Sequence, residues 1–453
     1  MEQKRSSFSG KIGFILAAAG SAVGLGNIWR FPYLAAKYGG GMFLLTYLIL
    51  AVTFGFALMV AEIALGRKTG LSAIGAFKKL DKRFGFVGYL AAIVPIIILP
   101  YYCVIGGWVT KYLTVYTFGA GHEAASNEVS YFGNFISNVQ EPLLFFAIYL
   151  GLTAIVVLFG VEKGVEKVSK IMMPILVVLT IVIAGYVMFS PGAMDGVYYY
   201  LVPNFSDFSI MTVVAALGQL FYSMSLAMGI MITYGSYMKK DVKIESSVHS
   251  IEIFDTGIAF LAGLMIVPAV FAFSGGDESA LNKGPGLMFD TLPKVFDSMA
   301  GGQIIGAIFF LLVLFAALTS SISLMETIVS IIQDKFKVGR KLACVIVIGI
   351  CILLGVPSSL GNGVWSSFTL GGMDFLTFFD FISNSILMPI VAIFTCIFVG
   401  FVIKPKTVVE EVEITGAFKL KTLFTIIIKY IAPICLLAIL TSSILDAFGI
   451  IKI

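Results

Sequence analysis

Asn27, Arg30, Glu62, Asp255 and Asp380 each stand inside long apolar runs, as do the hydroxyls of Ser223, Ser225, Thr319, Ser320, Ser321 and Ser323. An acid at the centre of a bilayer costs about 2.5–3.5 kcal/mol on insertion scales, so each needs a partner. The available donors are hydroxyls, single carboxylates and, wherever a helix opens, backbone carbonyls. Oxygen ligands without histidine or cysteine suit a hard cation. Calcium would want six to eight oxygens and more carboxylates, so sodium is the expected ion. A lone hydroxyl such as Ser321 is commonly bonded back to its own helix. No GxSxG, HExxH or P-loop pattern occurs, and the two histidines, His122 and His249, fall in an outer loop and near a cytoplasmic edge. An intramembrane hydrolase therefore lacks a credible dyad.

The elements that hold these residues must be membrane helices. Hydrophobic residues make up 59% of the 453 and charged residues 12%, with a mean hydropathy of +1.00. A soluble protein of this size could not bury that much apolar surface. Eleven candidate spans fall at about 11–36, 41–65, 86–116, 142–160, 165–189, 209–237, 248–273, 302–332, 342–357, 374–403 and 423–447, against the roughly 20 apolar residues that a crossing needs. With the N-terminus in the cytoplasm, all of the 30 Lys and Arg except Arg30, Lys37, Lys111, Lys283, Lys294 and Lys452 fall inside, as the charge rule favours. The first apolar stretch is too long for the core of a cleaved signal. The outer loops are 117–141, 190–208, 274–301 and 358–373, with helix-like residues around 285–297. The five cysteines lie in or beside apolar runs without a CxxC pair and read as packing residues.

Two spans carry signs of a break. Gly20, Gly24 and Gly26 crowd the middle of the first, followed within a turn by Asn27 and Arg30; Gly218, Ser223, Ser225 and Gly229 do the same in the sixth. Glycine weakens a helix by about 1 kcal/mol against alanine, and an opened turn can persist in a membrane only where protein or a polar cavity satisfies it. Close helix packing is the other use of such glycines. The two breaks lie five spans apart.

At this point the residues resemble a known family. Ser21-Ala-Val-Gly-Leu-Gly-Asn-Ile-Trp-Arg-Phe-Pro32 is similar to the first-helix signature of the neurotransmitter:sodium symporters, and Gly39–Gly41, Tyr101, Tyr102, Trp108, Gln219 to Ser225, Leu318 to Ile322 and Met373-Asp374 continue it in order. The resemblance covers nearly the whole chain. It implies an all-α integral membrane protein of about eleven transmembrane helices in a single domain. A 5+5 inverted repeat would run over about 11–189 and 209–403, with spans 1 and 6 broken and an extra helix over about 423–447. It also implies a multi-pass protein of the cell (inner) membrane, in contact with membrane lipid and not with nucleic acid.

Position by position, the resemblance implies two sodium sites. The first would use the Ala22 carbonyl, Asn27, Ser223 and Asp255, with the substrate carboxylate. The second would use the carbonyls of Gly20, Val23 and Ala316 and the hydroxyls of Thr319 and Ser320. The implied substrate pocket is Ala22, Gly24, Gly26, Ile98, Tyr102, Tyr222, Ser225, Met228, Ser320 and Leu324. Monoamine carriers of the family place an Asp at the Gly24 position; Gly24 is expected to leave room for a carboxylate. The part of that pocket expected to face the substrate's side chain is apolar apart from Ser225, so the expected substrate is a neutral hydrophobic or aromatic L-amino acid. Arg30 and Asp374 resemble the outer gate, over a lid of Tyr102 and Tyr222; Arg5 and Asp334 resemble the inner one, near Ser236 and Tyr237. Gly164 and Pro174 frame a segment that unwinds in some relatives, and that elsewhere would only start and kink a helix. Asp255 and Ala259 stand where chloride-requiring animal members carry Asn and Ser, so transport is expected to be chloride-independent. An ion channel, or a family member that senses without transporting, are the rival readings.

Overall fold

Hydrocarbon offers backbone amides no partners, so long apolar runs close their hydrogen bonds within helices. The computed structural model describes residues 6–125, 130–275 and 285–447, and no strand forms among them. In chain order its main helices are α1 (Lys11–Ala22), α2 (Gly26–Lys37), α3 (Gly41–Thr69), α4 (Lys82–Thr117), α5 (Gln140–Leu158), α6 (Val161–Met188), α7 (Ile210–Ser223), α8 (Ile230–Tyr237), α9 (Ile244–Ser274), α10 (Gly302–Phe336), α11 (Arg340–Leu360), α12 (Phe375–Val402) and α13 (Lys421–Asp446). Nine of those described are long and apolar enough to cross a membrane alone, and α1 with α2, bent by 55°, makes a tenth.

The sixth expected span is two short helices, α7 and α8, separated by residues 224–229. Neither half is long enough to cross by itself; taken as one crossing they bring the number to the eleven expected. The break is conformationally forced. Ser225, Ala227 and Gly229 all have left-handed backbones, with φ of 53°, 59° and 72°. Only glycine adopts that region without a steric cost. The expected outer helix is present as residues 287–298.

Helix α1 lies at the centre, touching α6, α9 and α10, while α10 runs along α4 and α8 lies against α3. The last contact depends on two glycines. A Cβ on Gly66 would sit 1.8 Å from the Ile232 carbonyl oxygen, and one on Gly235 would sit 2.3 Å from that of Ile63. Small residues at such crossings let membrane helices approach backbone to backbone.

Gly66→Ala and Gly235→Ala should each lower the thermal unfolding midpoint of the purified protein, as overpacking by about 1–3 kcal/mol does. Gly257→Ala, inside α9 where a Cβ meets open space, should not lower it, since alanine favours the helix.

Candidate functional site

Each broken turn exposes backbone groups, and the site is built from what satisfies them. In the first span the Val23 amide donates to the Ala19 carbonyl at 2.7 Å and ends α1. The Gly24 amide then donates to Asn27 Oδ1 at 2.9 Å, and the Leu25 amide to the Tyr102 hydroxyl at 3.4 Å. In the sixth span the Ala227 amide donates to Glu62 Oε1 at 2.7 Å. Ser225 joins the two breaks, its hydroxyl donating to the Ser21 carbonyl at 2.9 Å. Gln219 Nε2 adds a bond to the Gly26 carbonyl at 3.0 Å.

Two oxygen clusters flank the first break. On one side Asp255, fully buried, accepts from Asn27 Nδ2 at 2.8 Å and Ser223 Oγ at 2.7 Å on one oxygen, and from the Tyr47 hydroxyl at 3.3 Å on the other. On the other side the Ser320 hydroxyl lies 3.2 Å from each of the Ser21, Val23 and Ala316 carbonyl oxygens and 3.5 Å from that of Gly20. A hydroxyl carries one proton; the Ser21 oxygen also takes the Ser225 hydroxyl and the Ala316 oxygen lies inside α10, so the Gly20 and Val23 oxygens are the ones left short. Thr319 Oγ1 lies 3.1 Å from the Ala316 oxygen. A cage of buried acceptors with too few donors fits a small hard cation. No group of three His, Cys, Asp or Glu that could hold a metal exists among the described residues.

Between the clusters lies one cavity of about 30 Å³, room for a water or two. All ten expected pocket residues line it, together with Ser21, Leu25, Asn27, Ser223 and Ile230. The site is closed. The room expected beside Gly24 is filled: a Cβ there would sit 2.7 Å from Ser320 Oγ and 3.1 Å from the Tyr102 hydroxyl. A ligand larger than a water or two enters only if residues lining the cavity move.

The structure does not bring Arg30 and Asp374 together. Asp374 caps α12, accepting from the Thr377 amide at 3.0 Å and hydroxyl at 2.6 Å. The acid within electrostatic reach of Arg30 is Asp380, with no ion pair formed between them; its carboxylate is held by Tyr101 at 3.1 Å and Asn384 at 2.6 Å. Arg30 itself lies 5.3 Å over the Tyr222 ring, a cation–π contact. The sequence does distinguish the two acids: Asp374 precedes a helix start with Thr three residues on, as an N-cap does, whereas Asp380 is inside the run. Tyr47 and Ser21 carry no comparable signal, being an aromatic and a hydroxyl in an apolar stretch.

On the inner side, Arg5 lies outside the described residues. Asp334 accepts from the Ser72 amide at 2.8 Å and hydroxyl at 2.6 Å. Phe8, 1% exposed, plugs this side, its ring edge-on to Tyr234 and Tyr237 at 5.5 and 6.0 Å. The Ser9 amide ties the same segment to Glu166 at 2.8 Å. Gly164 is helical here, a Cβ on it falling 2.0 Å from the Val156 oxygen, and α6 runs on through Pro174.

Comparison with known proteins agrees with this arrangement. The family model described as "Sodium:neurotransmitter symporter family" matches residues 5–120 and 126–449. The uncharacterized sodium-dependent transporter YhdH of Bacillus subtilis is 36% identical over 446 residues, 97% of each chain. The human sodium- and chloride-dependent GABA transporter 2 is 26% identical, over 90% of this chain and 75% of its own. The crystal structure of MhsT in complex with L-phenylalanine superposes with a TM-score of 0.88 at 38% identity, covering 97% of this chain and 100% of that one. A closed site between two broken helices, in a chain matched along nearly its whole length, is thus that of a multi-pass membrane transporter, and the chain belongs to the sodium:neurotransmitter symporter family.

Proposed function

We propose that this chain is a symporter that uses sodium, at two sites, to carry a neutral hydrophobic or aromatic L-amino acid, without chloride. The observation that carries the reading is the pairing of one apolar-walled cavity with an oxygen cluster on each side of the break that forms its floor. Ile98, Met228 and Leu324 give the wall no partner for a charged side chain, whose burial there would go uncompensated. The amides at the start of α2 lie at the positive end of a helix, where a carboxylate is favoured. The likeness to MhsT, crystallised with L-phenylalanine, supports an aromatic substrate.

Alternating access follows from what would have to open. Outward release separates Tyr222 from Tyr102 and Arg30 from Asp380; inward release withdraws Phe8 from Tyr234 and Tyr237. Cavity closure keeps the two from opening together. Each sodium ion moving inward is worth about 2.3 kcal/mol per 100 mV, so two supply roughly 4.6 kcal/mol, or about three powers of ten in accumulation.

In proteoliposomes, phenylalanine, tryptophan, tyrosine and leucine should compete for uptake, while glutamate, lysine and dopamine should not. Replacing sodium by potassium should abolish accumulation; full uptake in sodium-free buffer would end the symporter reading.

Asp255 supplies the fixed negative charge that a chloride would otherwise provide, and Ala259, fully buried one turn on, has no side-chain donor for an anion. Exchanging chloride for gluconate should therefore leave uptake unchanged, whereas Asp255→Asn should raise the half-saturating sodium concentration by about tenfold or more, the loss of one close charge contact. Unchanged sodium dependence in that variant contradicts the assignment.

The outer acids separate by substitution. Asp380→Asn should lower uptake about tenfold, equivalent to 1.36 kcal/mol, while Asp374→Ala should cost only the cap, about 0.5–2 kcal/mol of stability, with uptake preserved. Equal loss of uptake in both would place Asp374 back at the gate.

A further inference from the structure

The N-terminal segment that plugs the inner side is held at Ser9, where every polar group is taken. The Ser9 amide donates to Glu166 Oε2 at 2.8 Å and the hydroxyl to Glu166 Oε1. The Ser9 carbonyl accepts from Lys239 Nζ at 2.8 Å, and one residue earlier the Phe8 amide donates to the Tyr237 carbonyl at 3.1 Å. These ties differ in weight. Lys239 is exposed, and an ammonium in water holds its partners weakly. Glu166 is 1% exposed and paired with Lys170 Nζ at 2.6 Å, so the hydrogen bonds it accepts are charge-assisted and shielded.

Glu166 reaches Ser9 through a notch in the first span. Helix α1 starts without a cap of its own: Gly10 has no side chain to offer, and the first turn holds no acid. The Glu166 carboxylate lies against Gly13 in that turn, where a Cβ would fall 2.2 Å from Oε1. A negative charge is favoured at such a helix start. We propose that Glu166 is the latch of the inner side, a positioning residue on α6 that holds the entry of α1 and, with it, the Phe8 ring against Tyr234 and Tyr237. Withdrawing Phe8 pulls Ser9 off this carboxylate, so the strength of the latch sets how readily the cytoplasmic side opens. Gly13 belongs to the latch, because only a residue without a side chain leaves the carboxylate its seat. This role rests on the alternating access proposed above and adds the group that governs its inner side.

The test measures cytoplasmic opening directly. Ser236, 9% exposed next to Tyr237, is replaced by cysteine (Ser236→Cys), and its labelling by a membrane-impermeant thiol reagent is timed in inside-out vesicles. The native chain sets the background from its five cysteines. Added to Ser236→Cys, Glu166→Ala should speed labelling roughly tenfold, the loss of one hydrogen bond to a charged group. Glu166→Gln, whose side-chain oxygen still accepts from the Ser9 amide, should speed it less. Gly13→Ala should match Glu166→Ala, since the atoms it displaces are the end of a flexible side chain. The two together should add nothing, because Glu166→Ala leaves no carboxylate to displace. Thermal unfolding checks that each variant folds, and Gly13→Ala, which removes no polar group, decides the matter where Glu166→Ala does not fold. Labelling no faster than in Ser236→Cys alone overturns the proposal, as does full additivity of the two substitutions. Labelling needs neither sodium nor substrate; absence of sodium-driven uptake by the native chain would count against the symporter reading instead.

Discussion

Everything in this molecule follows from the need to satisfy two broken turns where water is scarce. An α-helix closes its own hydrogen bonds; an opened one leaves amides and carbonyls that cost several kcal/mol each in hydrocarbon. The chain meets that need with side chains from other spans. Asn27 and Tyr102 take the amides of the first break, Glu62 takes one from the sixth, and Ser225 bridges the two. The carbonyls are less well served: Ser21 takes the Ser225 hydroxyl and Ala316 lies within α10, but Gly20 and Val23 share the Ser320 hydroxyl. Donor groups are filled while these two acceptors are left short, an imbalance that suits a small hard cation.

Aromatic rings contribute to closure on both sides. Above the cavity, Tyr222 carries the Arg30 guanidinium, and Phe289 in the outer segment reaches Trp29 and Trp108 at 6.5 and 5.9 Å. Below it, Phe8 stands between Tyr234 and Tyr237. Rings slide and separate without leaving charges bare, which suits surfaces that part in every cycle; hydrated ion pairs worth about 0–1 kcal/mol then set which partner is met again on closing.

Much of this was legible in the sequence, and the parts that were not have identifiable causes. Apolar length gave the spans, and glycine placement gave both breaks. Hydroxyls and acids in apolar runs pointed to an oxygen-only ion site, and the ten pocket positions carried over from the family resemblance fall around a single cavity. Where the sixth span opens was less legible, because its left-handed Ser225 and Ala227 are residues that ordinarily continue a helix. The motif match at Met373-Asp374 picked out an acid that caps a helix with Thr377 in this structure, a pattern the local sequence also carries. The closed state of the pocket, with Ser320 and Tyr102 filling the space beside Gly24, depends on contacts between spans some 80 to 300 residues apart, which no local pattern encodes.

The distribution of buried acids carries the argument one step further. Six are buried among the described residues: Glu62, Glu166, Glu252, Asp255, Glu326 and Glu411. Four have a basic partner, Glu166 with Lys170, Glu252 with His249, Glu326 with Arg340 and Glu411 with Arg67. Glu62 and Asp255 have hydrogen-bond donors but no ion pair, and these two stand at the breaks, one against each. A buried carboxylate without a positive partner carries a large desolvation cost, which a protein built only for stability would remove. Among the described residues neither break acid is opposed by a fixed cation. Asp255 is met by the Asn27 amide and the hydroxyls of Ser223 and Tyr47; Glu62, one of whose oxygens has no hydrogen-bond partner among the described residues, is met by the Ala227 backbone amide of the opened turn. Each acid is thus tied to the break beside it by the donors there, and not to a salt bridge that would hold it in place without the break.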